Sequence, residues 1–155
     1  MKFEKFLKRC GTHGQIVKRK NGDKWLICDG VGMLVPEGVV NLLGAGDVGE
    51  KTREIVEAIV TADIDDRVQL TEATVPAAGG VRDIIRVFRN EFETGSRVRI
   101  RNADFGLLER KDVLLAYLEI VDDETEDTEA YYQDFLLVLD PLENVIGFIA
   151  GVPES

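Results

Sequence analysis

Cysteine is scarce in this chain. Cys10 and Cys28 are the two among 155 residues, too few to act as a disulfide scaffold. Long apolar runs are missing as well, and none approaches the roughly 20 residues of a membrane-spanning helix. The opening Met1-Lys2-Phe3-Glu4-Lys5 lacks the uncharged apolar segment of a signal peptide. These absences lead us to expect a protein kept in the cytoplasm, with reduced thiols. Three common chemical signatures are also absent: the G-K-[ST] phosphate loop, the G-x-S-x-G elbow and the H-E-x-x-H zinc helix.

What is present reads as globular. Apolar residues make up 45% of the chain and charged residues 31%, and a chain of this length buries roughly two-thirds of its unfolded surface. No linker or internal repeat divides it, so residues 1–155 are expected to form one domain. The net charge is -10, unevenly spread: residues 1–30 carry eight basic and three acidic side chains, whereas 102–155 carry Arg110 and Lys111 against fourteen carboxylates. Between them, 81–101 is a basic stretch holding Arg82, Arg86, Arg89, Arg97, Arg99 and Arg101. Such polarity favours ordered association with a complementary surface, including another copy of the same chain.

Periodicity supplies the elements. Phe3, Phe6, Leu7 and Cys10 fall at i, i+3, i+4 and i+7, which predicts a short helix over 2–10, closed by Gly11 and docked on its own domain. Asn21-Gly22 predicts a hairpin over 15–28 with a two-residue type I′ turn, pairing Lys18 with Trp25 and Val17 with Leu26. Both faces of that hairpin are partly apolar, so each should meet other protein. A short strand is expected at 31–35, a helix over 50–62 with Ile55, Val56, Ile59 and Val60 inward, and a strand over 68–75. Two strands over 83–101 place Arg97, Arg99 and Arg101 on one face, opposite Val98 and Ile100. Asn102 is expected to cap a helix over 103–110 with Phe105 and Leu108 inward. Strands at 113–121, 132–139 and 145–149 complete an antiparallel meander, and the all-apolar run 135–139 predicts a strand covered on both sides. The fold class is α+β: an antiparallel sheet with an N-terminal hairpin and a C-terminal meander, and two or three helices packed against it.

Four constellations bear on chemistry. Gly44-Ala45-Gly46-Asp47-Val48-Gly49 matches G-x-G-x-x-G ahead of a helix, the pattern of a dinucleotide-binding turn. Asp47 would set a carboxylate beside the phosphates, and the meander is not a βαβ array, so a plain glycine loop is favoured. Cys10-Gly11-Thr12-His13 has metal-ligand spacing, with Cys28 and Asp29 as further donors, but supplies one half-site where structural zinc uses two. A core cysteine and a loop histidine are the better reading, and a Cys10–His13 nucleophile pair lacks an orienting third group. Asp63-Ile64-Asp65-Asp66 lacks the glycine and glutamate of a calcium loop. The fourth is electrostatic: 122–129 holds six acids in eight residues. Arg97, Arg99 and Arg101 on one copy are candidates to meet Asp122, Asp123, Glu124, Glu126 and Asp127 on another.

The runs 11–16, 24–33 and 41–44, Asn102 to Lys111, and the ending Val145-Ile146-Gly147-Phe148-Ile149-Ala150-Gly151 resemble an uncharacterised family of small proteins encoded in prophages of gut Firmicutes. The resemblance covers nearly the whole chain. It implies a bacteriophage setting and assigns no catalytic residue. A helix followed by strands, a second helix opening at Asn102 and a terminal meander also resemble one domain of a sliding DNA clamp, although helix 50–62 offers only Lys51 and Arg53 toward DNA. The leading expectation is therefore a non-enzymatic, phage-derived structural or assembly protein. It would act through protein–protein contacts, associate with itself, need no cofactor or metal, bind no membrane or nucleic acid, and reside in the host cytoplasm or the virion. The alternatives are a clamp-like DNA accessory factor and a dinucleotide-binding enzyme using the Gly44–Gly49 loop.

Overall fold

The computed structural model describes residues 1–38, 46–47, 49–76, 84–90, 97–122 and 125–153. Helix α1 (Phe3–Cys10) precedes strands β1 (Gln15–Lys18), β2 (Lys24–Cys28), β3 (Val31–Leu34) and the short β4 (Gly46–Asp47). Helix α2 (Glu50–Val60) leads to β5 (Val68–Pro76), β6 (Ile84–Asn90) and β7 (Arg97–Arg101), then α3 (Asn102–Phe105). Strands β8 (Val113–Asp122), β9 (Tyr131–Leu139) and β10 (Val145–Ala150) close the chain. The large sheet runs β4-β1-β2-β3-β10-β9-β8, antiparallel except where β4 lies parallel to β1, and β5-β6-β7 form a second antiparallel sheet. The α+β class, the N-terminal hairpin and the C-terminal meander are as the sequence predicts. No helix among the described residues is long and apolar enough to cross a membrane.

Alternation along the strands makes the large sheet two-faced. One face carries Leu26, Met33, Leu136 and Ile149 into a core closed by Phe6 and Cys10 of α1, Leu107 after α3, and Val68, Phe88, Val98 and Ile100 of the small sheet. The other face carries Val17, Trp25, Leu115, Phe135, Leu137 and Phe148 against Val56 and Ile59 of α2. Strand β9 is buried from Phe135 to Leu139, between β10 and β8 and covered on both faces. On the α2 face Trp25 stacks on Phe148 at 6.0 Å, and Phe135 meets Phe148 edge-on at 5.8 Å. Among the described residues, Trp25 Nε1 is a buried donor without a hydrogen-bond partner.

Several local expectations are corrected. The first hairpin pairs Lys18 with Lys24 and Val17 with Trp25, one residue out of the expected register. Arg19 N donates to Asp23 O and Gly22 N to Arg19 O, so the loop has three residues, and only Gly22 in it takes positive φ (+95°). The reason is burial: Val17 and Trp25 must share the α2 face, and a one-residue slip would put Lys18 beside the indole. The two-residue turn with positive φ at both positions lies instead at Asp29 (+49°) and Gly30 (+77°), between β2 and β3. Helix α3 spans four residues rather than reaching 110, and Asn102 does not cap it. Asn102 Oδ1 accepts from Arg86 Nε at 2.9 Å, and the helix gives way so that Leu107, rather than Leu108, is fully buried.

Candidate functional site

Strand β7 presents its arginines as the alternation requires. Val98 and Ile100 are buried, Arg97 and Arg101 are exposed and Arg99 is half-buried. The three are not equivalent. Arg101 Nε reaches the buried carboxylate of Asp104 at 3.4 Å and its Nη2 donates to Asp29 O at 3.3 Å. Arg9 holds the same carboxylate at 2.7 Å, so Arg101 belongs partly to the interior. Arg86 is likewise occupied, by Asn102 and by the ring of Phe105 at 4.8 Å. Among the described residues, the side chain of Arg99 joins no carboxylate.

The acidic tip closes the β8–β9 hairpin. Thr125 N donates to Thr128 O at 2.9 Å and Thr128 N to Thr125 Oγ1 at 3.1 Å, a turn that leaves Glu126 and Asp127 exposed. Asp122 is the last residue of β8, and Asp123 and Glu124 lie outside the described residues. The foot of this hairpin exposes Leu118 (56%), Tyr131 (51%) and Tyr132 (52%), which sequence patterning did not single out. Strand β8 is also an edge of the large sheet. Its first half is covered by a bridge from Arg67 to Leu115 and by Ala116 N donating to Asp66 O. Beyond Ala116, no strand among the described residues pairs with this edge.

The plain glycine loop favoured over a dinucleotide turn is in part a strand. Gly46 and Asp47 pair with Gln15 and Ile16 as strand β4, whereas the dinucleotide fingerprint needs those positions in the strand-to-helix turn. Gly44, Ala45 and Val48 lie outside the described residues, and Gly49 starts α2 without a side-chain cap. The Asp63–Asp66 segment is divided: Asp65 pairs with Arg67 at 3.5 Å, and Asp66 accepts from Asn90 Nδ2. Among the described residues no three metal-ligating side chains converge.

A cleft of about 410 Å³ opens on the α2 face. Its floor is Ile27, Val56, Phe135 and Phe148, and its rim carries His13, Gln15, Asp29, Thr52 and Gln133. Gln133 is held by Nε2 bonds to Asp134 O (2.8 Å) and Gly151 O (2.9 Å). Cys28 ends β2 at the border of this cleft, its Sγ 3.8 Å from Asp29 Oδ2, and its side chain packs in the core on the α1 face with Cys10. Cys10 lies behind it in the core, 1% exposed, and burial followed by the neighbouring Cys28 pushes its thiol up to about 12. His13 N donates to Cys10 O at 2.9 Å, and His13, Cys28 and Asp29 border one cleft. Its walls are drawn from residues 13 to 150, a juxtaposition that local patterning cannot show. Comparison with protein-family models, curated proteins and solved structures finds no match.

Proposed function

We propose that this protein is a non-enzymatic assembly component, phage-derived and acting in the host cytoplasm or the virion, that associates with copies of itself. The observation that carries this reading is the segregation of two surfaces: the outward arginines of β7 and the projecting acidic tip of the β8–β9 hairpin. Glu126 and Asp127 make no ion pair among the described residues, and neither does Arg99. Their contact across two copies joins unlike surfaces, a head-to-tail arrangement that gives rings or filaments. Leu118, Tyr131 and Tyr132 supply the apolar centre that such an interface needs beside its charged rim. The phage setting rests on the resemblance of the sequence alone. A DNA-associated role would draw on the same arginines, but Arg86 and Arg101 are already engaged within the chain.

The test is solution mass at low and high salt, followed by charge reversal. The expected result is an oligomer that dissociates in salt, is lost in Arg99→Glu, and is restored by mixing Arg99→Glu with the double variant Glu126→Arg, Asp127→Arg. A strict monomer at both salts overturns the reading.

A further inference from the structure

We propose that the cleft on the α2 face is a binding site for an uncharged, elongated amphiphile, an apolar chain with a hydroxyl or amide at its end. Strand alternation settles which side chains reach it. Ile27, Phe135 and Phe148 share a face with Trp25, the face that α2 covers. Across that face Gln15 pairs with Ile27, Ile27 with Gly32, and Gly32 with Phe148. In the neighbouring row Ala150 pairs with Phe135 and lies against Gly30, where a Cβ would stand 3.0 Å from that of Ala150. Glycine and alanine within these rows leave the sheet low between larger side chains. From the other side, Thr52, Ile55 and Val56 follow at i, i+3 and i+4, on the inward stripe of α2 that Ile59 continues. The result is a cavity of about 410 Å³, within the size range of small-molecule pockets.

The lining selects the ligand. Ile27, Ile55, Val56, Phe135, Phe148 and Ala150 give the trough an apolar middle, and hydrogen-bonding groups stand at its ends. His13 and Gln15 mark the β1 end. Gln133, on the face of Phe135, marks the β9 end. Strands β1 and β9 are four spacings apart in the sheet, and at about 4.8 Å per spacing the trough is long rather than round. The amide hydrogens of Gln133 are committed to Asp134 O and Gly151 O, so Oε1 is its atom left to accept from a ligand hydroxyl. Among the described residues no lysine or arginine lines the cleft. The Asp29 carboxylate at the rim lies 3.8 Å from Cys28 Sγ, whose side chain packs on the opposite face of the sheet. An anionic headgroup would enter this trough without a partner cation, at the cost of an unpaired charge. Phosphates and carboxylates are therefore rejected, whereas a neutral hydroxyl or amide finds partners at either end.

The site lies on the face of the large sheet opposite β7, so its test does not depend on self-association. Octanol is the probe, titrated into the full chain by isothermal calorimetry, with Tm as a second readout. One saturable site is expected, and a Tm that rises with octanol concentration, since a ligand held by the native state stabilises it. Octanoate, the same chain with a charged end, should bind about tenfold more weakly. Cyclooctanol, with the same carbons closed into a ring, should also bind about tenfold more weakly, because it does not follow the trough. Thr52→Phe, which fills the trough from α2, should abolish binding while circular dichroism stays native, and Ile55→Phe serves if that variant unfolds. Absence of a saturable site overturns the proposal. So does octanoate or cyclooctanol binding as tightly as octanol, or octanol binding that survives in a folded filling variant.

Discussion

The two faces of the large sheet are covered differently. On one, α1, α3 and a second sheet meet Leu26, Met33, Leu136 and Ile149 and leave Phe6, Ile100 and Leu107 with no exposure. On the other, α2 is the one helix of the cover among the described residues, and the cleft opens beside it between Thr52, Ile27 and Phe148. The lesson is geometric. An eleven-residue helix is about 16 Å long, whereas seven strands at about 4.8 Å spacing span nearly 30 Å. Among the described residues this helix does not span that face, and the cleft lies in the part beside it.

Core truncations should expose this difference most strongly. Leu136→Ala, on the doubly covered face, is expected to cost about 3–5 kcal/mol, because layers on both sides resist collapse. Ile59→Ala, on the inward face of α2, should cost about 2–3 kcal/mol, because the helix can settle toward the sheet. Chemical denaturation measures both, and equal losses would break the comparison. A smaller effect is expected from Gly32→Ala. A Cβ at this position of β3 would run into the ring of Phe148, which must then shift toward the cleft. The expected loss is about 1–3 kcal/mol, with reduced cleft volume by crystallography. Gly106→Ala meets the flexible end of Lys5 first and should cost less.

The smallest effects are in pH dependence, and they sit on the α2 side. The Arg19 guanidinium, at 3.0 Å, holds the Glu57 carboxyl below its ordinary value. That contribution is complete above the unfolded carboxylate range and is lost as pH falls through the lowered value. Glu57 is 47% exposed, so solvent screening keeps the effect slight. Glu57→Gln should flatten the acid limb of a Tm–pH curve. Burial, followed by the hydrogen bond to Glu119, raises the Tyr117 phenol from 10.0 to about 12. Its contribution is complete below pH 10.0 and falls as pH rises toward about 12, so Tyr117→Phe should flatten the alkaline limb.

The same contrast explains what could be read from the chain. Elements dictated by neighbours were legible: the α1 stripe ending at Gly11, the α2 stripe through Val56 and Ile59, and the alternation that turns Arg97, Arg99 and Arg101 outward. Turn chemistry was legible by residue type but not by place. Asn21-Gly22 and Asp29-Gly30 both suit a type I′ turn, and only the second forms one, because the first must deliver Val17 beside Trp25. Helix α3 stops early for a tertiary reason as well: Arg9 and Arg101 anchor Asp104, and Leu107 is drawn into the core. The cleft was not legible, since Cys28, Thr52 and Gln133 have no sequence relation that would place them together.

The aromatic stack on the α2 face gives the molecule an internal optical reporter. Trp25 is the only tryptophan in the chain, it is 1% exposed, and its indole lies against Phe148, whose ring also lines the cleft. Its emission is therefore blue-shifted and comes from one environment, with no second indole to average against. Any molecule that enters the cleft and displaces Phe148 alters that environment, so intrinsic fluorescence follows occupancy without a label.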